Sequence, residues 1–276
     1  MQLRKKINSD GRYLGDQLLT CLCLWDDARQ SSLACGFNLG EKVDEMKVTL
    51  FAVLLASVAL SAQTASPANA NPVRKEILHN DKLTAYMVEL APGQSASMHR
   101  HDHDVLAVFI TGGERKVTME GHSPVEEKST PGEVRFRPAG FSHSTENVGK
   151  SDFKVIDIEF ENPQGKKEPV AHKRSHYCNP GSHTACVTEK YLFCTAKFCA
   201  EEVTMGPGAK STQHSHDTEH MLVAVTDYSL ADDTTGKGIT QRDVKSGGVE
   251  YLPAGITHVL MNTGKTEARF IAIIFK

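Results

Sequence analysis

The chain has 276 residues, room for two domains of ordinary size. Apolar residues make up 39% and charged residues 24%, the balance of a globular protein in water. With a formal net charge of −3 and no basic helix, there is no bulk attraction to nucleic acid or to an anionic membrane.

In chain order, residues 1–45 read as a mis-assigned N-terminal extension, with translation starting at Met46. If they are translated, the apolar run that follows becomes a signal anchor and the protein is tethered. Trp25, Cys21, Cys23 and Cys35 lie in this extension and are given no role. Residues 46–70 have the parts of a signal peptide. Lys47 supplies the positive start, Val48 to Leu60 the apolar run, and Ala68-Asn69-Ala70 a small-x-small cleavage site. The mature chain then begins near Asn71, and the protein is expected in the periplasm or outside the cell. The run is too short to be read as a membrane span.

Residues 73–160 and 186–276 show short apolar/polar alternations separated by Gly, Pro, Asn and Asp turns, with no sustained helical period. Many short strands with turns between them predict two tandem all-β barrels or sandwiches. Residues 161–185, rich in Lys, Pro, Gly and His, read as a linker, where His172, His176 and His183 read as solvated side chains. Cys178, Cys186, Cys194 and Cys199 are the cysteines of the mature chain. An even number in an exported protein favours disulfides, and the preferred pairing is Cys178–Cys186 with Cys194–Cys199. The second pair flanks Thr-Ala-Lys-Phe in an expected tight hairpin.

The two blocks repeat one pattern. Gly93, His99 and His101 precede Gly132, Pro138, Gly140, His143 and Asn147. Gly208, His214 and His216 precede Gly247, Pro253, Gly255, His258 and Asn262. Recurrence at so many fixed positions argues for a duplicated unit. On a strand, residues two apart share a face, so each His-x-His pair points one way. A third histidine from a later strand then completes a three-nitrogen site. Neutral imidazoles suit a divalent transition metal (Fe, Mn, Ni, Zn or Cu) and leave positions open for water or substrate.

These segments resemble the two motifs of the cupin superfamily, and the resemblance spans nearly all of the mature chain, as in a two-domain bicupin. It implies two antiparallel jelly-roll barrels packed on each other, with His99, His101, His143 and His214, His216, His258 as metal ligands. The family's usual fourth ligand, a Glu four or five residues after the second histidine, is missing. Those positions hold Val105 and Leu106 in one copy, and His220 and Met221 in the other. Aligning the apolar strands instead sets Asp104 opposite His220, making these two the candidate fourth ligands. His103 shares strand parity with His101 and is a further candidate ligand or acid/base group. Glu219, by parity, faces away. The resemblance implies dioxygenases, decarboxylases, isomerases and non-catalytic binding proteins; with the signal peptide and open metal positions, the leading expectation is a secreted metal-dependent enzyme of oxygenase type acting on a small organic substrate. The alternatives are a non-catalytic binding or sensing cupin, and a cupin isomerase or sugar-modifying enzyme. A homo-oligomer also fits the family.

Overall fold

The computed structural model describes residues 65–170 and 174–276, and these form β-strands with one 3-10 turn at Ala68–Ala70. The extension 1–45, most of the expected signal peptide and His172 lie outside the described residues. Ten strands precede the 161–185 segment: β1 (Ser66–Pro67), β2 (Arg74–His79), β3 (Leu83–Leu90), β4 (Ser95–His101), β5 (Asp104–Phe109), β6 (Gly113–Met119), β7 (Val125–Ser129), β8 (Val134–Arg137), β9 (Phe141–Asn147) and β10 (Phe153–Phe160). They form two sheets, ordered β1-β4-β9-β6-β7 and β2-β3-β10-β5-β8, antiparallel except where β1 lies parallel to β4. The sheets face each other as barrel 1.

Barrel 2 repeats the plan with β11 (Arg174–Cys178), β12 (Cys186–Cys194), β13 (Phe198–Met205), β14 (His214–His216), β15 (His220–Ala224), β16 (Tyr228–Thr234), β17 (Gly238–Val244), β18 (Val249–Leu252), β19 (Ile256–Asn262) and β20 (Ala268–Phe275). Its sheets run β11-β12-β13-β20-β15-β18 and β14-β19-β16-β17. The expected linker is thus partly structural. Arg174–Cys178 alternates half-buried and exposed residues and forms the edge strand β11 of barrel 2, tied to β12 by Cys178–Cys186. The second disulfide is Cys194–Cys199, which pins the β12–β13 hairpin. Both pairs match the preferred connectivity.

Three apolar clusters explain the architecture. Val88, Leu90, Ala96, Phe109, Phe153 and Val155 fill barrel 1. Val203, Met205, Leu222, Leu230, Leu260 and Phe270 are part of the filling of barrel 2. The third cluster joins the barrels. Leu106, Ile156, Ile158 and Phe160 from barrel 1 pack with Phe193, Phe198, Met221 and Ile273 from barrel 2. Strands β3, β5, β10, β13, β15 and β20 are therefore buried on both faces. That is why Val105-Leu106-Ala107-Val108-Phe109 is continuously apolar where a half-exposed strand would alternate. The barrels pack through these back sheets, which leaves their front sheets free to carry the histidines.

The shared motif residues have local causes. Asn147 Nδ2 donates to the Leu90 and Ser151 carbonyls, both at 2.8 Å, and Asn262 repeats this at Met205 (2.8 Å) and Thr266 (2.9 Å). Gly140 and Gly255 adopt φ of 89° and 75°, a region closed to most L-residues. Each donates its N–H to the second histidine of its pair, at His101 O (2.8 Å) and His216 O (2.7 Å). The Pro-Ala-Gly turn therefore clips the strand bearing the third histidine to the strand bearing the first two.

Candidate metal centres

In barrel 1, His99 lies directly opposite His143 across the β4–β9 pair, and His214 lies opposite His258 across β14–β19. One nitrogen from each of His99, His101 and His143 falls within 4.8 Å of the others, and His214, His216 and His258 do the same. His99, His101 and His258 are almost wholly buried, and the other three are half-buried. The structure thus brings all six sequence-predicted histidines into two triads.

The outer nitrogens are held by acceptors. His99 Nδ1 faces Ser97 O at 2.6 Å, and His101 Nδ1 faces Glu159 Oε1 at 2.8 Å. In barrel 2, His214 Nδ1 faces Thr212 O at 3.0 Å, and His258 Nδ1 faces Asp232 Oδ1 at 2.9 Å. Carbonyls and carboxylates accept only, so these Nδ1 atoms carry the hydrogens and the inner Nε2 atoms carry lone pairs. Yet His214 and His258, both with Nδ1–H turned outward, bring their Nε2 atoms to 3.1 Å. Lone pairs facing each other so closely repel unless a cation sits beside both, so this donor set fits a metal ion, and barrel 1 brings three histidine nitrogens together in the same way. Burial pushes His143 down to about 2 and His216 to about 4, which keeps the imidazoles unprotonated and able to ligate at neutral pH. Glu159 and Asp232 are raised by burial, but the hydrogen bonds from His101 and His258 and the charges of Arg74 and Arg242 outweigh it. Both carboxyls stay below their usual range.

The two candidate fourth ligands part company. Asp104 shares a strand face with Leu106 and Val108, which pack toward barrel 2, and not with the triad. Its oxygens accept from Ala139 N at 2.8 Å and Gln164 N at 2.7 Å, so it ties down the Pro-Ala-Gly turn and is not a ligand. His220 points into barrel 2, stacks on His216 with ring centroids 3.8 Å apart, and has a buried Nδ1 with no hydrogen-bond partner. Burial drives it down to about 3. His220 therefore lies beside the triad, but its nitrogens are not among those that converge there, and face-to-face stacking on His216 is not the arrangement of two ligands sharing one ion.

The expected alignment of Asp104 with His220 is off by one residue. Val105 lies opposite Arg137, and His220 lies opposite Leu252, so Val105 and His220 occupy matching places. His103 falls between β4 and β5, faces Phe160 O at 3.2 Å, and stands apart from the triad. Glu219 faces away as expected and pairs with Lys82.

Barrel 1 also holds a cavity of about 90 Å³, lined by the three histidines together with Phe141 and Arg137. The other arginines on its wall are neutralised. Arg74 pairs with Asp157 (3.0 Å) and Glu159 (2.8 Å), Arg115 with Glu127 (2.9 Å), and Arg135 with Glu127 and Glu133. Arg137 touches only Met119 Sδ, at 3.2 Å, and lies 5.6 Å from the Phe141 ring centroid; among the described residues no carboxylate pairs with it. Arg137 directly precedes the Pro-Ala-Gly turn, where the second copy has Leu252. Arg137 against Leu252 is one of several differences between two motifs that share their spacing, so nothing in the sequence singled it out. Glu159 and Asp232 gave no signal, because they sit on non-equivalent strands far from the motifs.

A cupin domain model matches residues 86–159. The chain is similar to an oxalate-binding protein of Thermotoga maritima, 32% identical over 89 residues, which is 32% of this chain and 71% of that one. It is also similar to a dimethylsulfoniopropionate lyase of Ruegeria pomeroyi, 36% identical over 66 residues, 24% of this chain and 31% of the lyase. Among solved structures, AerE from Microcystis aeruginosa superposes with a TM-score of 0.53 at 14% identity, over 75% of this chain and 98% of AerE. The oxalate decarboxylase of Lactobacillus farciminis, in its formate complex, gives 0.52 at 15% identity, over 71% and 77%. At such identities these structures speak to the fold alone. Duplicated barrel, paired histidine triads and family model agree: the chain belongs to the cupin superfamily, in its two-barrel form.

Proposed function

We propose that barrel 1 is a metal-dependent binding site for a small carboxylate anion of the oxalate class. The observation that carries this reading is Arg137, a cation without an acidic partner on the wall of the cavity that the triad also lines. A half-buried charge without a partner is costly, and an anion beside it removes that cost. A guanidinium also presents two parallel N–H donors that match a carboxylate. The cavity has room for roughly six water-sized groups, the scale of a small dicarboxylate. The oxalate-binding relative supports the same ligand class. Barrel 2 has Leu252 in place of Arg137, and its Arg242 is already paired with Asp232 at 2.8 Å and Glu250 at 3.2 Å.

His99, His101 and His143 would hold a divalent ion, which supplies Lewis-acid polarisation of a bound carboxylate. Phe141, stacked on His101 at 4.6 Å, keeps one side of the cavity apolar and strengthens the field of Arg137. The oxygen-dependent reaction expected from the triad draws no support from Arg137, which recognises charge. Calorimetric titration of the metal-loaded protein with oxalate tests the reading. One class of site is expected, and Arg137→Gln should weaken it about ten- to a hundredfold while metal content is unchanged. Equal affinity in the variant, or oxygen uptake with neutral diketones but no oxalate binding, contradicts it.

We further infer that the protein is exported and cleaved after Ala70. The apolar run, the small-x-small site and the two disulfides support this. Among the described residues, cleavage there removes 65–70, which hold β1 and the 3-10 turn, and leaves the buried Asn71 at the start of the barrel. N-terminal sequencing of the protein recovered from outside the cytoplasm should begin at Asn71; a start at or before Ser66 contradicts this.

A further inference from the structure

Away from both barrel interiors, one group of side chains has a chemistry that the metal centres do not use. β11 is the edge of the six-stranded sheet, and it carries His176 and Cys178 on one face. Cys178 lies directly opposite Cys186 of β12 and is joined to it. His176 lies directly opposite Thr188, whose Oγ1 is 2.9 Å from His176 Nδ1. That contact fixes the ring so that Nε2 faces Cys178 Sγ at 3.8 Å. His176 and Cys178 are exposed and Cys186 is half-buried, so a small molecule in solution reaches the sulfur pair. The other disulfide, Cys194–Cys199, contacts no imidazole among the described residues.

We propose that Cys178–Cys186 is a thiol–disulfide exchange centre for small-molecule thiols, with His176 stabilising Cys178 as the departing sulfur. Exchange is faster the better the leaving thiolate is stabilised, and an adjacent imidazole lowers a thiol's pKa. A thiolate RS⁻ attacks Cys186 Sγ. The Cys178–Cys186 bond breaks, its electron pair stays on Cys178 Sγ, and His176 Nε2–H bonds to that sulfur. A second RS⁻ then attacks the external sulfur of the R–S–Sγ(Cys186) mixed disulfide and releases RSSR. Overall, two RSH and one protein disulfide give RSSR and two protein thiols, so electrons and protons balance. Among the described residues no further strand pairs with β11, so its outer edge is open.

The test uses the full chain in glutathione at neutral pH, with thiol labelling and peptide mass spectrometry over time. Cys178–Cys186 is expected to open while Cys194–Cys199 stays closed, and His176→Ala, which keeps both disulfides, should slow that opening about tenfold. A second measurement avoids dependence on one variant. Cys186→Ala leaves Cys178 as a thiol whose alkylation rate should have a pH midpoint below ~8.5, rising when His176→Ala is added. Opening that His176→Ala leaves unchanged, equal opening of both disulfides, or a Cys178 midpoint at or above that of free cysteine overturns the proposal. None of these readouts depends on bound metal or on the carboxylate site, so this inference stands or falls separately.

Discussion

Glu159 and Asp232 hold equivalent jobs on non-equivalent strands. Glu159, on β10, accepts from His101, the second histidine of its triad, and from Arg74. Asp232, on β16, accepts from His258, the third, and from Arg242. Each carboxylate fixes one imidazole's tautomer and raises the basicity of its inward nitrogen. Glu159→Gln should therefore weaken metal binding in barrel 1 by about ten- to a hundredfold and leave barrel 2 unchanged. Competition against a chromophoric chelator reads the two affinities, and equal affinities in variant and parent contradict the role. The ligating histidines were legible because period-two spacing and turn glycines announce them. Their supporting carboxylates were not, because contact across a barrel has no signature in local spacing.

At the scale of the strand, β13 carries a buried carboxyl that the fold tolerates at a cost. Glu201 lies opposite Tyr191 on one side and Ala272 on the other, and is 7% exposed. Burial, helped by the negative charge of Glu189, pushes it up to about 7. A carboxyl raised on folding takes up protons as the chain folds, so the contribution of this group to stability is greatest below the ordinary carboxylate range. It falls as pH rises through 4.5 to about 7, then levels off. Glu201→Gln removes this dependence and should stabilise the protein at pH 8 by ~3 kcal/mol, read as a raised urea midpoint, with little change at pH 4. A destabilised variant at pH 8 would show that the charge is favourable. Strand existence was readable from short runs and turns, but register was not. Val105-Leu106-Ala107 and His220-Met221-Leu222 are buried on both faces, so period-two alternation is lost, and aligning their apolar residues slipped by one. That slip promoted Asp104 and hid the equivalence of Val105 with His220. Cys178–Cys186 and the alternation in Arg174–Cys178 likewise make a strand of what composition alone marked as linker.

At the scale of the molecule, duplication supplies two copies of one scaffold, and the changes confined to one face set their chemistry. The shared back-sheet cluster is apolar from both sides and holds the barrels together, while the front sheets present the triads. Barrel 1 has Val105 and Arg137 where barrel 2 has His220 and Leu252. One barrel carries a cation without an acidic partner on its cavity wall, and the other a buried imidazole stacked on its triad. The duplicated pattern made the two-barrel architecture readable, whereas this exchange emerged only once register was known. The most direct measurement is metal content by mass spectrometry on the metal-loaded protein and on His99→Ala, His214→Ala and their double variant. The account predicts two ions per chain, one in each single variant and none in the double. Full retention in both single variants, or loss of both ions from one substitution, would contradict an independent metal centre in each barrel.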